Sequence, residues 1–132
     1  DACVVGCDTV VCLNDEIIGK PRDGADAFRI LSSLSGQAHT VYTGLCVLTA
    51  HSRQVVHDRT DVVFRALCRE EIESYIKTGE PFDKAGAYGI QGPGCFLVDR
   101  IDGNYFNVIG LPAPMLYEAL AKEGILPRFM RA

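Results

Sequence analysis

The sequence predicts an α/β domain with a mixed sheet, and three observations carry that expectation. A near-continuous apolar run, Ala2 to Leu13, opens the chain and is rich in valine. Such runs are typical of strands covered on both faces. Strand-like and helix-like segments then alternate, and a hairpin signal, Asp102-Gly103, follows near the end. The 132 residues are one domain's worth, enough to bury a core.

Each element has a local reason. Asn14-Asp15 forms a turn before Glu16-Ile17-Ile18 and Gly19-Lys20-Pro21. Asp23 caps a helix to about Ser35, with Ala27, Phe28, Leu31 and Leu34 inward and Gly36 ending it. Strands are expected over Thr40 to Thr49 and Val55 to Leu67. A helix from Arg69 to Lys77 starts with Glu70 and Glu71, which suit its dipole, and stops at Gly79. Glu80 to Gly94 has neither period, and with Gly79 it holds five glycines and two prolines. Loops of this length in compact domains are usually functional or disordered, and Phe82, Tyr88 and Ile90 argue for order. Strands Cys95 to Ile101 and Asn104 to Ile109 are expected next, then a helix starting at Pro112 and Pro114 and ending near Gly124. The tail from Ile125 is expected to be loosely held.

Composition narrows the function. The net charge of −4 argues against a nucleic-acid polymer as partner, although local cations can still hold a small anion. No apolar run spans a bilayer, and no signal-peptide pattern opens the chain. The chain has no initiator Met and starts just before an apolar run, as a piece of a longer protein would. The six cysteines lack C-x-x-C pairs and zinc-type spacing with His39, His51 or His57. They read as buried, reduced thiols, which suggests the cytoplasm.

Two features point to chemistry. Asp8 places a carboxylate inside the apolar run, and burying an ionised carboxylate without partners costs many kcal/mol. It either accepts backbone amides at a strand end or belongs to a site; valines follow almost at once, which favours a site. The glycine-rich loop sets Lys84 beside unhindered amides, an arrangement suited to an anion, and adds the amide of Gln91. A tight structural loop is the alternative. Lys20, between Gly19 and Pro21, could deliver a point charge to phosphate, or be a solvated loop lysine. Thr9, on the opposite strand face from Asp8, reads by default as a packing residue.

Taken in order, these motifs resemble the Maf-type nucleoside triphosphate pyrophosphatases. The likeness runs from about Val4 to Gly124 through Gly6-Cys7-Asp8-Thr9-Val10-Val11, Gly19-Lys20-Pro21, Leu34-Ser35-Gly36, Val41-Tyr42-Thr43-Gly44, the loop from Gly79 to Gly92, and Asn107 to Pro112. It implies a single Maf-like domain over 1–132, a twisted sheet flanked by helices and bearing a cleft, related to the inosine-triphosphatase architecture. It further implies Mg²⁺- or Mn²⁺-dependent hydrolysis of a nucleoside triphosphate to the monophosphate and pyrophosphate. Asp8 then matches the active-site acid, as base or metal ligand, and Lys20 and Lys84 match phosphate-holding lysines. Thr9 and Gln91 match positions that sort substrates, and this pair looks like the dTTP/UTP branch rather than a purine enzyme. A homodimer is also implied. The family's N-terminal Ser-x-Ser-Pro-Arg-Arg segment does not occur here, so a non-catalytic nucleotide-binding module is the other reading, and the fragment alone is expected to be a poor catalyst. Cys7 and Cys68 depart from the family's usual alanine and serine without touching the chemistry.

Overall fold

The computed structural model describes residues 1–131. Five strands form one sheet: β1 (Val4–Leu13), β2 (Glu16–Ile18), β3 (Ala38–Leu48), β4 (Arg53–Phe64) and β5 (Val98–Asp102), in the order β2-β1-β3-β4-β5. Four helices accompany it: α1 (Gly24–Leu34), α2 (Arg69–Lys77), α3 (Tyr105–Val108) and α4 (Ala113–Lys122). The α/β class stands. Every pairing is antiparallel, however, and the expected mixed sheet does not form. The β1–β2 hairpin reverses the chain before α1 carries it across to β3. The parallel relation that a crossover helix creates therefore joins β2 and β3, and β1 separates them.

The tight β1–β2 turn places Asn14 and Asp15 at φ 51° and 64°. These two residue types tolerate that region best after glycine. Asp23 caps α1, its carboxylate accepting the Asp26 amide at 2.8 Å. Ala27, Ile30, Leu31 and Leu34 form the buried stripe of α1. Phe28 is only half-buried, and Arg69 lies over its ring at 5.4 Å. On α2, the Glu71 carboxylate accepts the Cys68 amide at 2.9 Å, satisfying one of the helix's open donors.

β3 alternates cleanly: His39, Val41, Thr43, Leu45 and Val47 are buried on one face. Val41, with Val11, Val62 and Phe64, packs against α1, α2 and the glycine-rich loop. Leu45 and Val47 form a smaller cluster with α4.

Three further expectations need correction. β1 is not covered on both faces: Val4 to Asp8 are exposed, because β2 pairs only with Val11 to Leu13 and the helices lie elsewhere. The cysteines are free but none is buried; Cys12 and Cys46 are half-covered and the other four exposed. The second strand of the expected Asp102-Gly103 hairpin is helix α3. There the Asn104 side chain caps the Asn107 amide at 3.1 Å, while Gly103, at φ 133°, lies so close to Thr60 that an added Cβ would sit 2.7 Å from its hydroxyl. No helix among the described residues is long and apolar enough to cross a membrane.

Candidate functional site

A cleft of about 520 Å³ opens between the edge of β1, the Gly19-Lys20 segment, the glycine-rich loop and the end of α3. Asp8, Thr9, Lys20, Lys84 and Gln91 all line it. Asp8 and Thr9 point to opposite faces of β1 as alternation requires. Both reach the cleft because it opens where the pairing with β2 has stopped.

Asp8 is not the desolvated carboxylate its apolar neighbours suggested. It is exposed, and its Oδ1 accepts the Thr9 amide at 3.0 Å. The burial cost thus falls away as a reason to single it out, and its place in the cleft takes over.

The glycine-rich loop holds three short 3₁₀ turns: Glu80–Asp83, Ala85–Ala87 and Pro93–Leu97. Its tie to the first hairpin is a backbone bond, the Gly86 amide donating to the Gly19 carbonyl at 3.2 Å. Gly86 sits at φ 76°, and a Cβ there would meet the Val11 side chain at 3.1 Å. This close backbone approach brings Lys20 and Lys84 to one wall. Lys84 Nζ lies 2.9 Å from the Asp83 carboxylate. That hydrogen bond and charge hold the Asp83 carboxyl below its ordinary range, and Lys20 adds to the effect. Ala87, next to Gly86, is fully buried at φ 61°, a backbone conformation that non-glycine residues hold only when their surroundings impose it.

Sequence reasoning missed the residues that hold the loop. Glu80 Oε1 accepts the Tyr75 hydroxyl at 2.7 Å and the Gly94 amide at 3.2 Å, and the Tyr75 oxygen accepts the Gly89 amide at 3.1 Å. Burial, and then the Glu80 hydrogen bond, push the Tyr75 phenol well above its usual range. The helical period places Tyr75 with Ile72 and Ile76 on the inward face of α2 and gives no sign of the carboxylate five positions later.

From sequence alone His39 lies in a strand-like stretch and reads as an ordinary surface or core residue. It is 2% exposed, and its Nε2 lies 2.7 Å from the hydroxyl of Tyr88, another cleft residue. Burial lowers the imidazole from 6.5 to about 4, against a weaker opposing effect of Asp61. A depressed histidine contributes stability that is present above pH 6.5, is lost as pH falls toward about 4, and changes little below. Urea midpoints should therefore drop between pH 7 and pH 4, and His39→Leu should flatten that fall. An unchanged pH slope in the variant would show that His39 is not its source.

The chemistry of the donors bears on a metal. No group of three or more His, Cys, Asp or Glu side chains converges among the described residues. Asp8 presents one open carboxylate, and Glu80 Oε1 is already used within the loop. Mg²⁺ is commonly bound through one or two carboxylates with phosphate oxygens and water completing the shell, and this donor set fits that pattern.

The fold and cleft define an α/β protein whose pocket sets two lysines beside the carboxylates of Asp8 and Glu80, while the Gly86, Gly89 and Gly94 amides, expected to be free for an anion, are spent on protein acceptors. The Maf-like protein family model matches residues 1–123, and the chain belongs to that family. It is 52% identical over 126 residues to a dTTP/UTP pyrophosphatase of Aquifex aeolicus (strain VF5), covering 96% of this chain and 66% of that protein. A Moorella thermoacetica protein of the same name is 52% identical over 127 residues, at 95% and 66% coverage. One from Clostridium novyi is 46% identical, with the same coverage. The chain thus spans just under two thirds of the length of these relatives.

Proposed function

We propose that this chain carries the catalytic cleft of a nucleoside triphosphate pyrophosphatase acting on dTTP or UTP. One observation supports the reading most: five residues from three separated segments, Asp8 and Thr9, Lys20, Lys84 and Gln91, line one cleft of nucleotide-accommodating size. Membership of the Maf family and the names of its half-identical relatives point the same way.

The roles follow from chemistry. Hydrolysis at the α-phosphorus needs charge neutralisation and positioning more than a protein nucleophile. Lys20 and Lys84 are the cations for the phosphate chain, Lys84 exchanging Asp83 for phosphate oxygens. Asp8, exposed and with one oxygen free of protein partners, accepts the proton of the attacking water or holds a metal ion. A divalent ion, Mg²⁺ or Mn²⁺, would supply Lewis-acid polarisation of the phosphate oxygens, with Asp8 as its protein ligand. Gln91 and Thr9 take the base. The reading includes one Maf-like domain, a homodimer and, from six unpaired thiols, a reducing compartment such as the cytoplasm.

Assay of pyrophosphate release from a nucleotide panel with Mg²⁺, on the full gene product, tests this. UTP and dTTP should be turned over at least tenfold faster than CTP or the purine nucleotides. Nucleotide binding with no pyrophosphate released would replace the enzyme with a binding module.

A further inference from the structure

Thr9 and Thr43 face each other across β1 and β3, with their hydroxyl oxygens 2.9 Å apart. Thr43 is fully buried, and its Oγ1 also lies 2.9 Å from the backbone carbonyl of Asn107. A threonine hydroxyl has one hydrogen, and a carbonyl can only accept. If Thr43 gave its hydrogen to Thr9, two buried oxygens would face each other at hydrogen-bond distance with no proton between them. The Gly110 amide also donates to the Asn107 carbonyl at 3.1 Å, but oxygen lone pairs facing each other at this distance repel, which makes the arrangement costly. The Thr43 hydrogen therefore goes to Asn107, and Thr9 must donate to Thr43.

The direction of the chain is held at its far end. Asn107 is fully buried, its side-chain amide donating to the Val41 carbonyl at 3.1 Å and to the Thr60 hydroxyl at 2.9 Å. The Asn107 carbonyl cannot turn away from Thr43 without breaking these bonds.

We propose that Thr43 is a positioning residue that fixes Thr9 as a hydrogen-bond acceptor toward the cleft, so that Thr9 reads an N–H of the ligand. The inference rests on the nucleotide reading of the cleft and goes beyond it. With its hydrogen spent on Thr43, Thr9 has only lone pairs to offer. A phosphate oxygen, itself an acceptor, gains nothing there. The imide N3–H of uracil or thymine does, whereas cytosine turns an unprotonated N3 to the same place. Discrimination of this kind comes from buried polar groups left unpaired by the wrong base.

Calorimetric titration with UMP and CMP tests this without requiring hydrolysis, on wild type, Thr43→Val, Thr43→Ser and Thr9→Val. Wild type should prefer UMP. Thr43→Val frees the Thr9 hydrogen to meet cytosine N3, so the UMP-to-CMP affinity ratio should fall about tenfold, mainly through tighter CMP. Thr43→Ser keeps the hydroxyl and should keep the ratio. Thr9→Val should weaken UMP without strengthening CMP, and it gives a reading even if Thr43→Val fails to fold. A wild-type ratio in folded Thr43→Val, or in Thr9→Val, would overturn the proposal. Selective UMP binding that follows this pattern without any pyrophosphate release would uphold the proposal while removing the enzyme reading.

Discussion

Asp8→Asn is expected to lower pyrophosphate release from UTP or dTTP by about 10³-fold, within the span of a lost general base. The thermal midpoint should hardly move. Asp8 is exposed, and its one recorded hydrogen bond is to an adjacent amide, which an asparagine oxygen can also accept. Surface changes of this kind shift stability by about 0.5 kcal/mol or less. The contrast between the two measurements matters more than either alone. A loss of activity with an equal loss of stability would make Asp8 structural, and retained activity would remove it as base and as metal ligand.

Gly94→Ala is expected to act the opposite way, through the fold. Gly94 is buried at the point where the end of the glycine-rich loop crosses its own middle. A Cβ there would collide with the Gly89 carbonyl oxygen and press on the Tyr75 hydroxyl at 2.8 Å and Glu80 Oε1 at 3.0 Å. The first obstacle is backbone, and the other two belong to the hydrogen bonds that hold the loop. None can yield cheaply. Overpacking of this kind costs about 3 kcal/mol, enough to lower the melting midpoint by roughly 10 °C in a chain of this size. Calorimetric melting of the variant checks it; a midpoint within 2 or 3 °C, on the order of 1 kcal/mol, would mean that the loop can re-route around the methyl group.

The helices were legible because their signals are local. Asp23 and Gly36 bracket α1, and Glu70, Glu71 and Gly79 bracket α2. α3 was not, since Tyr105-Phe106-Asn107-Val108 suits a strand as well as one helical turn, and only the Asn104 cap and the contact of Gly103 with Thr60 decide between them. The antiparallel sheet was hidden for a related reason: a crossover helix tells that two strands are parallel, not that they are neighbours. For the site, residue types in a recurring order named Asp8, Thr9, Lys20, Lys84 and Gln91, all of which line the cleft, before any geometry did. Asp8 is nonetheless not desolvated as its apolar flanks suggest, because an apolar stretch at an open sheet edge does not bury what it flanks. Thr43, Asn107 and Glu80 stayed out of view because their roles exist only as pairwise distances across segments far apart in sequence.

The bond between the Gly86 amide and the Gly19 carbonyl also has a meaning in time. The β3–β4 hairpin closes through neighbouring residues and can form early, since short loops are cheap to close. The two lysine-bearing segments meet only after the chain between them has been ordered, and contacts of such long range come late in folding. During synthesis, Asp8 and Lys20 leave the ribosome long before Lys84 and Gln91, so the nascent chain has a sheet in the making before it has a pocket. Ligand affinity is therefore acquired in the closing stage of folding, and a nucleotide that binds the finished cleft favours the completed molecule over its half-built predecessors.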